Sequence, residues 1–278
     1  MVSYHRVSVV IPNVGEKSLQ EVIKNLNNGS IKPEEIILVV PKNKYEMILN
    51  MSLDKNTRIL ISDIASQVAQ RILGFKNVRN ELVMQLDADI IFQRDTLEKL
   101  VSCYNSLNSN VAIGPYFKKK NIPSVNKFKN LIFSYFISRE INKVTYDSWF
   151  YNDDKHNDKE IFKTRWLPGG CILFNKKNLI IQNYYNFKGK AYDEDLLHSV
   201  ILRNNNVDLY HCGDAHCYSL YDIYDHKNFK SLLGYLLRVL IVKNKVRILG
   251  RGSLLIFVMW YFYWFNGEMI RYFKSRFI

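Results

Sequence analysis

Short apolar, β-branched runs alternate with amphipathic stretches through the first part of the chain, and this alternation restricts the fold more than any other feature. The segments "RVSVVIP" (6–12), "EEIILVV" (34–40), "TRILIS" (57–62) and "ELVMQL" (81–86) read as buried strands. Between them, "SLQEVIKNLNN" sets Leu19, Val22, Ile23 and Leu26 at helical spacing, and "KYEMILNMSL" and "ASQVAQRILGFKNV" predict two more helices. This order requires right-handed crossovers, so the expected fold is α/β, Rossmann-like, with a mostly parallel central sheet flanked by helices. Ligands of such sheets bind beyond the carboxyl ends of the strands. The fourth strand ends in "LDADI", which puts Asp87 and Asp89 in that position. Buried carboxylates need a partner, and a metal, an arginine or water would each serve.

Further on, "RDTLEKLVSCYNSL" predicts a helix with Asp95 as N-cap and Glu98 completing a capping box. "VAIGPY" reads as a strand, 125–144 as a helix, and 146–165 as a mobile polar loop. "WLPGGCILF" is a turn into a strand, and "YDEDLLHSVILRNNN" an acid-led helix with His198 on its apolar side as a core residue. Residues 207–220 read as two short strands broken at Gly213. No repeat or low-complexity linker interrupts the chain.

With 278 residues, 47% of them hydrophobic, the chain can build a large core. Its formal charge of +13 is uneven: from His226 onward ten Lys or Arg face one acid, Glu268, while the preceding 225 residues carry 29 cations against 25 acids. The basic tail is interleaved with apolar and aromatic runs, which suits an anionic membrane surface and argues against nucleic acid. Leu254 to Phe265 is twelve residues without a charge. As a helix it is about 18 Å long, short of the roughly 30 Å hydrocarbon core. It is therefore expected to lie at the interface, to pack on the domain or to form a dimer contact. The N-terminus enters a strand at once, with no signal peptide visible, so a cytoplasmic location, peripheral on the membrane, is expected. Cys103, Cys171, Cys212 and Cys217 show no metal or disulfide spacing and read as reduced, buried thiols.

Taken together, a first strand ending at Pro12 and Asn13, the strand "EIILVV", Arg71-x-x-Gly74, "LDAD" and the later pair Glu194–Asp195 resemble the family 2 glycosyltransferases of the GT-A fold. The resemblance covers roughly residues 6 to 225. It implies a nucleotide-sugar-binding half (1–110), an acceptor-binding and catalytic half (111–225) and, outside it, a helical tail (226–278) at the membrane interface. It implies that Asp87 and Asp89 hold Mn2+ or Mg2+ against the diphosphate of a nucleotide sugar, with Ala88 between them and Pro12, Asn13, Asp63 and Arg71 near the nucleotide. Arg71 is either a phosphate contact or a solvated helix arginine. Asp195 is the expected general base, with Glu194 as its pair and Asp193 as its rival. Trp166, Gly169 and Gly170 would border an acceptor, a glycan that the tail suggests is lipid-linked.

Three departures from the family pattern stand out. The turn after the second strand, "VVPKN", lacks the acid that often reads uracil; Asp63 is the substitute. Ser219 stands where a metal-closing histidine is usual, which leaves His216, Asp222 or His226 as replacements. Asn206 replaces the glycine after the acid-led helix, a mild change because asparagine tolerates the left-handed conformation. Two other readings remain open at this level: a catalytically inactive scaffold with the same fold, and a D-x-D phosphohydrolase.

Overall fold

β1 (Val7–Pro12) is buried along its whole length because helices cover both of its faces. In the computed structural model, which describes residues 6–13, 16, 18–49, 51–107, 110–117, 161–220 and 228–277, it lies inside a nine-stranded sheet. Alternation along the strand sends Val7, Val9 and Ile11 toward Leu19, Val22, Ile23 and Leu26 of α1 (Leu19–Asn27). Val10 points the other way, against Phe75 of α3 (Gln67–Phe75). Gly74 is required there, since a Cβ at that position would overlap Val10.

β2 (Glu35–Pro41) and β3 (Thr57–Ser62), with the short α2 (Tyr45–Leu49) between them, extend the sheet on one side of β1. β4 (Leu82–Leu86) lies on the other side, and these four strands run parallel in the order β3-β2-β1-β4, as the alternation predicts. Beyond β4 the sheet becomes mixed. β8 (Cys171–Asn175) is antiparallel to β4 and to β6 (Val111–Phe117), β6 is parallel to β9 (Asp208–Ser219), and β9 is antiparallel to β5 (Ile90–Phe92) and β7 (Ile161–Thr164). α4 (Thr96–Ser106) and α5 (Glu194–Asn204) pack on this mixed part of the sheet, and α6 (Phe229–Leu249) and α7 (Leu254–Phe277) form the tail. α5 is gripped between α3 and α6: Leu196, Leu197 and Val200 meet Val68, Ile72, Val242 and Val246. Just past its C-cap stands Asn206, whose φ of 60° is the left-handed conformation expected of that residue.

Several local expectations are corrected. β9 is one strand rather than two; Gly213 does not break it, because β6 absorbs residues 213–215 as a bulge between its Pro115 and Tyr116 positions. Residues 161–164, read as loop, pair with β9. Asp95 sits at the N-cap of α4 but makes no capping hydrogen bond; its carboxylate meets Lys99 at 2.8 Å instead. Cys103 and Cys212 are joined in a disulfide between α4 and β9, whereas Cys171 and Cys217 are buried thiols. The helix expected at 125–144, most of the loop at 146–165, Asp222 and His226 lie outside the described residues.

Candidate active site

The parallel order of β1 to β4 brings their carboxyl ends to one edge, and Asp87 follows directly from β4. Its backbone N–H donates to the Gly170 carbonyl at 2.8 Å, which ties it to the turn before β8. Two groups of α3 reach its side chain: Gln67 Nε2 donates to Oδ1 at 2.9 Å, and Arg71 Nη2 at 3.2 Å. Arg71 Nη1 donates to Glu194 Oε1 at 2.8 Å, and the Tyr184 hydroxyl donates to the same oxygen. Gln67, Gln70 and Arg71 share one helix face, so α3 acts as a polar strut beneath the site. Gln70 completes it by donating to the carbonyls of Asn13 and Val39, each at 2.8 Å.

Arg71 is therefore buried rather than solvated, with its guanidinium engaged by Glu194 and Asp87. Its side chain is 2% exposed, and two carboxylates hold its guanidinium; burial opposes the charge, but Glu194 and Asp87 outweigh it and raise its pKa. Glu194, expected in a catalytic role, is likewise committed. Burial alone would raise its pKa, yet Arg71 and Tyr184 hold it below the usual value, so it is a fixed anion that positions its neighbours.

Asp195 is different. It lies half-buried in the first turn of α5, beside Asp193, whose left-handed φ of 51° turns the chain into the helix. Burial, then Asp193 and Glu194, push its carboxyl up to about 7, while the hydrogen bond from Leu196 N–H and the Lys243 ammonium oppose the rise. Burial thus contributes more than the like-charge neighbours. Lys243 comes from α6, is buried, and approaches Asp193 Oδ2 at 3.6 Å. Gly169 is a close-approach position: a Cβ there would stand 3.1 Å from Asp195 Cβ and 3.3 Å from Glu194 Oε2.

A cleft of about 280 Å³ is lined by Asp87, Gly169, Gly170, Lys190, Tyr192, Asp193, Asp195 and Tyr235 among others. Lys190 is carried by a turn at Gly189, whose φ of 79° suits glycine and which bridges to Ser66 beside α3. Lys190 Nζ stands 4.0 Å from Asp89 Oδ2, and Ser219 Oγ donates to that oxygen at 3.4 Å. Burial raises the pKa of both Asp87 and Asp89 despite these cations.

His216 is not brought to the pair. The register of β5 on β9 sets Ile90 opposite Ser219. The His216 carbonyl accepts instead from Gln93 N–H and Thr96 Oγ1, about 13 Å along the strand from Asp89 at roughly 3.3 Å per residue. His216 is therefore not placed to hold a metal with the pair, and Ser219 is the β9 side chain that hydrogen-bonds Asp89. Trp166, expected beside the acceptor, packs against the cluster of Val68, Ile72 and Leu196 and does not line the cleft. Pro12 and Asn13 end β1, where Asn13 is buried; the Ala88 carbonyl accepts from Ser18 Oγ at 2.6 Å, and Asp63 is exposed past β3. His198 is buried and stacks on Tyr184; burial lowers its pKa to about 4, which leaves it neutral.

The oxygen atoms of Asp87, of Asp89 and of the Ser219 hydroxyl on Asp89 are of the kind that suits a hard cation. Two carboxylates and a hydroxyl are oxygen ligands, as magnesium and manganese prefer, and such ions often complete their shell with phosphate and water. Among the described residues no three His, Cys, Asp or Glu side chains cluster to enclose a metal.

The chain belongs to glycosyl transferase family 2, whose model matches residues 8–179. No curated protein matches it in sequence. Its fold is shared by GalNAc-T7, solved with UDP, GalNAc and Mn2+, at a TM-score of 0.56 and 11% identity over 84% of this chain and 48% of that one. It is shared also by residues 1–349 of S. aureus TarS in complex with UDP-GlcNAc, at a TM-score of 0.55 and 16% identity over 86% of this chain and 66% of that one. The chain thus spans about half of the first structure and just under two thirds of the second.

Proposed function

We propose that this protein transfers a sugar from a nucleoside-diphosphate sugar to an acceptor hydroxyl, with inversion. The observation that carries the reading is Asp195: a half-buried carboxyl, pushed up to about 7, in the same cleft as Asp87. A base poised near neutral pH can take a proton from an attacking hydroxyl and hold it at Asp195 while the new glycosidic bond forms. Attack from the side of Asp195, opposite a diphosphate beside Asp87, is a single displacement and inverts the anomeric centre. Glu194 and Arg71 keep Asp195 and Asp87 in register across the cleft. Lys190 places a cation beside Asp89, where charge develops on the departing diphosphate. Asp87 and Asp89 would hold Mn2+ or Mg2+, which when bound supplies further stabilisation of that charge. The uridine nucleotides of the two structural neighbours, and the Mn2+ of one, support a nucleotide-sugar donor and a divalent metal. Gly169 and Gly170 line the cleft near Asp195, where the acceptor would lie; the acceptor we propose is a glycan, lipid-linked by the character of the tail.

The test is nucleoside diphosphate release from a panel of nucleotide sugars, supplied with manganese and candidate glycan acceptors. Wild type should release one diphosphate, and Asp195→Asn should not. Normal transfer by folded Asp195→Asn protein would remove Asp195 from the base role.

A further inference from the structure

The two tail helices lie beyond the residues matched by the family, and both are apolar on two opposite sides. α6 buries Leu232, Leu236, Val239, Val242 and Val246. Its other side carries Phe229, Leu233, Leu237 and Ile241, exposed and spaced four apart, with Ile248 farther along. α7 buries Phe257 and Tyr272 but exposes Leu254, Leu255, Met259, Phe262, Ile270 and Phe273. A stripe that long on each of two consecutive helices exceeds the scattered apolar exposure of an ordinary surface.

Charge selects what covers it. From His226 onward the chain has ten Lys or Arg and one acid, Glu268, which pairs with Arg271 at 2.8 Å. Arg251, Arg271, Lys274 and Arg276 are exposed around the stripe. A second copy would bring the same cations against these, which disfavours self-association through this face. No helix among the described residues is long and apolar enough to cross a membrane. Apolar side chains, interfacial aromatics and a tenfold excess of cations over acids together match a bilayer surface of anionic headgroups.

We propose that the outer face of α6 and α7 docks on an anionic lipid bilayer, with both helices lying in its interface. The inner side of α6 carries Lys243 to Asp193 and Tyr235 to the cleft wall, so a docked protein holds its acid cluster close to the lipid surface. Docking itself is independent of the proposed transfer reaction and is read without any substrate.

The experiment is co-flotation of the full chain with vesicles of phosphatidylcholine alone or mixed with phosphatidylglycerol. Wild type should float with the anionic vesicles, remain behind with the neutral ones, and dissociate as salt is raised. Lys274→Glu and Arg251→Glu should each weaken binding by fivefold or more, from about a fivefold loss per cation removed near the surface. Phe262→Ser should also weaken it, with the melting temperature of each variant confirming the fold. Wild type that floats with neither vesicle would overturn the proposal. So would a salt-resistant dimer in which the stripe is protected from solvent.

Discussion

Arg71→Met tests the strut beneath the cleft. The guanidinium lies 2.8 Å from Glu194 and 3.2 Å from Asp87, and the Glu194 side chain is 5% exposed against 21% for Asp87. Asp87 can recover solvent when the arginine is lost, so Glu194 sets the magnitude. Stranding one partner of a buried pair costs about 3–5 kcal/mol, a large part of the ~5–15 kcal/mol that holds a typical domain together. At ~2–4 °C per kcal/mol the melting temperature should fall by about 10 °C at pH 7. The pH dependence has a definite sign. The folded pKa of Glu194 is depressed, so the stabilisation is complete above its unfolded value, near 4.3, and is lost as pH falls through the folded value. The gap between wild type and variant should therefore close toward pH 3. Adding Glu194→Gln removes the stranded charge and should recover about half of the loss. Thermal unfolding across pH reads all three proteins. Equal melting of wild type and Arg71→Met at pH 7, or a double variant no better than the single, would refute the reasoning.

Asp195→Asn should lower kcat by roughly 100- to 10,000-fold, measured by diphosphate release. Wild-type activity should rise about tenfold per pH unit below 7 and level off above it, because the base must be deprotonated. The raised pKa also means that the folded state binds more protons than the unfolded one between about pH 4 and 7, so stability falls as pH rises through that window. Asp195→Asn should consequently melt higher than wild type at pH 8 and equally at pH 4, in a fluorescence melt. Asp87→Ala and Asp89→Ala should each abolish transfer and weaken the response to manganese. Reduction of Cys103–Cys212, which closes a 109-residue separation, should destabilise the fold by ~2–4 kcal/mol, read as a lower melting temperature in reductant.

The parallel half of the sheet was legible because each strand and helix there has its own periodicity, and the end of β4 located Asp87 before any contact was known. Asn206 was legible for a similar reason, since its conformation is a property of one residue. The errors came where distant segments decide. Gly213 reads locally as a break, yet β6 pairs with β9 both before and after the bulge and holds it as one strand. Cys103 and Cys212 are too far apart in sequence for spacing to reveal a bond. His216 could be assigned to a face by alternation, but its separation from Asp89 depends on the β5–β9 register. Lys190, Tyr192 and Tyr235 carry no periodic signal and reach the cleft through a glycine turn and a tail helix. Gln67, Gln70 and Arg71 did carry one: three polar residues at helical spacing within an apolar helix that covers the sheet.

The most direct measurement of the central claim is a thermal-shift panel of UDP, GDP, CDP and dTDP, each with and without manganese, on wild type and Asp89→Ala. A ligand bound to the folded state raises the melting temperature by mass action. The account predicts that one base gives a manganese-dependent rise that Asp89→Ala loses. A panel in which no nucleotide shifts the wild type, or in which Asp89→Ala responds as wild type does, would contradict it.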